Sequence, residues 1–128
     1  MPISAEEIEE LKKLLEVLSE FVEKSTIPNE LKVFVLVQLE ELRRGIFDYK
    51  IHGAKGFRTA VESVLGTTIT QNTRYQEIMK NDGDVLTRLG RFLDRVDEIM
   101  SKALKVKKAL GNGAKLLGLP WLSENNDE

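Results

Sequence analysis

The amino-acid sequence predicts an all-α protein, a small helical bundle, and three stretches carry that expectation. From Val85 to Leu110 the residues Val85, Leu89, Phe92, Val96, Ile99, Ala103, Val106 and Leu110 alternate spacings of four and three, the repeat of one helical face. Near the start, Ser4 and Glu7 form a capping-box pattern ahead of a second such stripe. Between the two lies Pro28–Ile51, the most apolar segment of the chain and, over its first two turns, hydrophobic almost all round. A helix of that kind is normally surrounded by protein, so this one is expected at the centre of the core.

In chain order, the first helix covers 4–24. Ile8, Leu11, Leu15, Leu18 and Val22, joined by Leu14 and Phe21, make its apolar stripe, while seven Glu against three Lys over residues 1–24 make the remainder acidic. Ser25-Thr26-Ile27-Pro28 ends it and supplies a proline suited to the next first turn. So short a connection predicts antiparallel neighbours. Val33, Val35 and Val37 in the second helix also suit a strand. The length of the run and Glu40 placed four residues before Arg44 decide for a helix over 28–50.

Gly53 and Gly56 are the hinge after it, allowing a tight turn or a close approach of two helices. A third helix is expected over 54–65 with Gly66 as its stop, then a loop through Thr67–Asn72. Thr73–Lys80 can form a short helix. Asn81-Asp82-Gly83-Asp84 is a turn and cap cluster from which the longest helix grows over 84–110, ended by Gly111-Asn112-Gly113. A hydrophobic C-terminal segment, Ala114–Leu122, completes a single domain over 1–122, with residues 123–128 as an acidic flexible tail.

Composition narrows the function classes. A chain of 128 residues can bury roughly two-thirds of its unfolded surface, so a true core is expected. The net charge of −2 gives no general attraction to nucleic acid or anionic lipid. No cysteine is present, which removes disulfides and thiolate chemistry, and the single His52 cannot by itself assemble a metal site. No apolar run approaches the roughly 20 residues that span a bilayer, and Met1-Pro2-Ile3-Ser4 leads straight into an acidic helix without a leader pattern. A soluble, cytoplasmic protein is expected.

No nucleophile elbow, phosphate loop or paired-histidine zinc motif occurs, so no catalytic residue, cofactor or small-molecule substrate is nominated. His52 beside Tyr49 could act as an acid–base group, but the sequence proposes no partner for it, and filling the hinge is the simpler role. A ligand pocket near Tyr49, His52 and Arg58 is a further expectation to test. Gly111-Asn112-Gly113-Ala114-Lys115 has the glycines and lysine of a phosphate loop, but with the wrong spacing and after a helix where a strand is required.

Two sets of residues are candidates for binding a partner. Arg88, Arg91, Arg95 and Lys102 lie beside the long helix's stripe, where seven basic residues stand against four acidic ones over 84–110. They suit a solvated face turned to the acidic first helix, an acidic protein, or, as the alternative function, nucleic acid. Leu116, Leu119, Trp121 and Leu122 could fold back on the bundle or dock in a partner's groove. A membrane surface is not expected, because the acidic tail would be repelled by anionic lipid.

The patterns Ile27-Pro28-x-Glu30-Leu31-Lys32-x-Phe34, Leu39-Glu40-x-Leu42-Arg43 and Tyr49-x-Ile51-x-Gly53-Ala54-x-Gly56-Phe57-Arg58-x-Ala60-Val61-Glu62 span about a third of the chain. They resemble a helical module of uncharacterised bacterial proteins. That resemblance implies a bacterial or phage origin and a unit that works beside other proteins, and it brings no activity with it. The resulting expectation is a non-enzymatic protein-protein interaction subunit, regulatory, immunity-related or assembling, that binds a protein partner or itself. The apolar surface left by the long helix and the C-terminal segment is expected to do the binding.

Overall fold

A computed structural model describes residues 3–104. Five helices follow one another: α1 (Ala5–Lys24), α2 (Asn29–His52), α3 (Ala54–Thr70), α4 (Asn72–Asn81) and α5 (Gly83–Leu104). The expected continuation of the long helix over 105–110, its glycine stop and the C-terminal segment lie outside the described residues.

The capping box forms as the sequence predicts. The Glu7 amide donates to Ser4 Oγ and the Ser4 amide donates to Glu7 Oε1, each at 3.1 Å. Ile8, Leu11, Leu15, Leu18 and Val22 are all buried. α1 and α2 run antiparallel, which two ties at opposite ends establish. Tyr49 Oη accepts from the Ile3 amide at 2.8 Å and donates to the Ile3 carbonyl at 3.1 Å. At the other end Lys32 Nζ donates to the Glu23 carbonyl at 2.8 Å.

Gly53 is the pivot between α2 and α3, with φ of 72°, a backbone region in which only glycine is at ease. The close helix approach is made elsewhere. A Cβ on Gly45 would sit 2.5 Å from Ala60 Cβ and 3.2 Å from the Phe57 ring, so the absent side chain lets α2 and α3 cross tightly. Gly56 is less critical, with the His52 Cβ 3.3 Å from the corresponding position.

α3 does not stop at Gly66, and the expected Thr67–Asn72 loop is mostly helix, with the break at Gln71. A glycine inside a helix costs only about 1 kcal/mol. Burial of Val64 and Thr68, with Leu65 packed against the core, offsets that cost. The threonine hydroxyls of this last stretch donate backwards along the helix, Thr67 to the Ser63 carbonyl and Thr68 to the Leu65 carbonyl. The short helix expected over 73–80 is α4. Between α4 and α5 a single residue, Asp82, makes the turn, its carboxylate accepting from the Asp84 amide at 3.1 Å.

The core is one continuous cluster drawing on every helix. α5 contributes Val85, Leu86, Leu89, Phe92, Leu93, Val96, Ile99 and Met100, all buried. Among the described residues of this helix no large apolar side chain is exposed, and the rest of the apolar surface expected of the long helix and the C-terminal segment lies outside the described residues.

Candidate interaction surface

The helix expected to be covered on all sides is instead covered on one. Leu31, Phe34, Val35, Leu39, Leu42 and Ile46 face the core. On the opposite side Val33, Val37, Phe47 and Ile51 remain 61%, 58%, 64% and 67% exposed. The physical reason is geometric: the neighbouring helices close over the inner arc of α2, and the outer arc stays in solvent. Residues 33, 37, 40, 44, 47 and 51 alternate steps of four and three, so they form one stripe along the helix. Its middle is polar. Glu40 accepts from Arg43 Nη1 at 3.1 Å and lies 3.9 Å from Arg44 Nε.

Single exposed apolar residues are ordinary, whereas two exposed pairs in register on one helix, Val33 with Val37 and Phe47 with Ile51, make a candidate binding surface. The sequence carried this signal. The inner stripe of α2 and this outer one overlap in the alternating valines, so together they read as a helix without a polar side.

The basic candidates on α5 are differently placed. Arg95 makes a two-pronged pair with Glu10, Nε to Oε2 at 2.6 Å and Nη2 to Oε1 at 2.7 Å, and its Nη1 reaches Glu98 at 3.3 Å. Lys102 Nζ lies 3.0 Å from Glu7 Oε2. The Arg88 guanidinium sits 4.0 Å from the centre of the Phe21 ring. Arg95 and Lys102 thus hold α5 against acidic α1, the solvated-face role expected from the segment charges. Arg88 and Arg91 line a shallow groove of about 170 Å³ between α1 and α5, with Leu14, Val17, Leu18 and Phe92.

These contacts leave a clear electrostatic trace. The Glu10 carboxyl is held below its ordinary range by the Arg95 guanidinium. That of Glu7 is lowered first by the Ser4 amide and then by Lys102.

Tyr49, His52 and Arg58 each meet a neighbour of their own, and none of them lines a described pocket. The Tyr49 hydroxyl is taken up by Ile3, His52 Nδ1 is 3.7 Å from Asp48 on the same helix, and Arg58 pairs with Glu62 at 3.5 Å. Of the two expected hinge glycines, Gly53 forms the break between α2 and α3 and Gly56 lies inside α3. Leu116, Leu119, Trp121 and Leu122 lie outside the described residues. No helix among those described is long and apolar enough to cross a membrane. Comparison with protein-family models, curated proteins and solved structures finds no match to this chain.

Proposed function

We propose that the protein is a non-enzymatic interaction subunit, of a regulatory or assembly kind, that binds a protein through the outer face of α2. One observation carries this reading: Val33, Val37, Phe47 and Ile51 stand in register and exposed on a helix whose other face is fully built into the core. The stripe lies on a formed helix, so only its side chains need ordering on binding and the entropic cost of association is reduced.

The test is affinity purification from the native cell with the parent chain and with Val37→Asp/Phe47→Asp. Both positions are exposed, so the variant should keep the parent's helical content and melting temperature. Loss of a bound protein, or of self-association, in the variant supports the reading. Retention of every bound chain by a folded variant refutes it.

A further inference from the structure

We infer that the occupant of this face is a second copy of the chain, docked antiparallel through the outer face of α2 about a two-fold axis level with position 42. The inference rests on reading that face as a docking surface and goes on to name what docks there. The stripe is its own antiparallel complement. Glu40 and Arg44 lie two residues on either side of Leu42, Val37 and Phe47 five, and Val33 and Ile51 nine. Turned end for end, the stripe sets Val33 against Ile51, Val37 against Phe47, and Glu40 against Arg44, twice over.

The flanking charges agree. Arg43 lies on the same side of the stripe as Glu40, and Glu41 on the same side as Arg44. In the antiparallel pair, each Glu40 therefore comes between two guanidiniums of the other copy, and Glu41 lies beside its Arg44. A parallel, in-register pair would instead set Glu40 on Glu40 and Arg44 on Arg44, with like charges meeting at the centre. The contact is isologous, so it closes at two copies and leaves no apolar stripe to propagate a fibre. From Val33 to Ile51 the seam runs about 27 Å.

The experiment uses the full chain and reads its mass by sedimentation equilibrium from low to several hundred micromolar. The parent is expected to form a dimer. Glu40→Arg alone and Arg44→Glu alone should each weaken it by about tenfold or more. The double variant Glu40→Arg/Arg44→Glu should dimerise more tightly than either single variant, because the central pair is again complementary, and less tightly than the parent, because Arg43 and Glu41 now meet like charges. Mixing the two single variants should also give a dimer tighter than either forms alone, as a heterodimer. The chain has no cysteine of its own, so direction can be read by cross-linking. Val33→Cys mixed with Ile51→Cys should yield a mixed disulfide, and Val33→Cys alone should not.

A monomer at all concentrations overturns the inference, as does a Val33–Val33 cross-link or a dimer indifferent to the charge reversals. If that monomer still captures a different protein through Val37 and Phe47, the docking surface stands and only its occupant is wrong. If it captures nothing through them, both fail.

Discussion

Tyr75 offers a test of the packing in which deleting a polar atom should strengthen the protein. Its ring is completely buried and meets Phe34 edge-on, with centroids 5.3 Å apart and planes at 73°. Among the described residues its hydroxyl has no hydrogen-bond partner. Burying a hydroxyl without a partner costs about 1–3 kcal/mol. Tyr75→Phe keeps the ring contacts and removes that cost. The void it leaves, one oxygen of about 10 Å³, should take back only about 0.2 kcal/mol.

The expected net gain is about 1–2 kcal/mol, or roughly 4–8 °C in melting temperature for a chain of this length. A second signature lies in alkali, because burial pushes the Tyr75 phenol above its ordinary value. The unfolded chain would lose that proton near pH 10 while the folded chain keeps it, so this component of stability is complete below pH 10 and declines above it. Circular-dichroism melts at pH 7 and above pH 10 measure both effects. A variant that melts below the parent at pH 7, or that loses as much stability in alkali as the parent does, refutes the packing described for Tyr75.

Other substitutions probe the helix boundaries and the α1–α5 seam. Gly66→Ala should raise stability by about 0.5–1 kcal/mol in denaturant titration, since Gly66 is helical and nothing lies within 4 Å of an added Cβ. A glycine at a left-handed helix stop would give the opposite sign. Gly53→Ala should cost about 1–3 kcal/mol from its backbone conformation alone, φ 72° with ψ −168°, since space for the Cβ is open. Gly45→Ala should cost about 1–3 kcal/mol by forcing α2 and α3 apart. Glu10→Gln should cost about 0.5–1 kcal/mol at neutral pH, a modest figure because both partners are more than a third exposed or close to it. The pair's contribution is present above the usual carboxylate range and is lost as pH falls through the lowered Glu10 value. Stability should therefore decline less between pH 5 and pH 3 in Glu10→Gln than in the parent.

The two faces of α2 show how much was legible beforehand. The spacing of four and three identifies a covered face wherever the remaining residues are polar, so the inward faces of α1 and α5 could be read directly. On α2 apolar residues stand on both faces, in the outer one only at its two ends, and periodicity cannot say which of two such faces finds a neighbour. The surplus of apolar residues on this helix includes Val33, Val37, Phe47 and Ile51, which the core leaves exposed. The α3 boundary was misplaced for a related reason: local preferences of Gly66 and the following threonines favour a stop, and core burial of Val64 and Thr68 overrides them.

The sequence by itself determined the all-helical class, the capping box at Ser4 and Glu7, the pivot at Gly53 and the acidic character of α1, because each follows from neighbouring residues or from one repeat. Tertiary structure alone decided that Gly45 and Ala60 meet, that Arg95 and Lys102 are held by Glu10 and Glu7, and that the outer stripe of α2 stays in solvent. Those outcomes depend on how many helices fit around one core and at what distance. Among the described residues the other helices pack against one side of α2 and leave Val33, Val37, Phe47 and Ile51 exposed on the other.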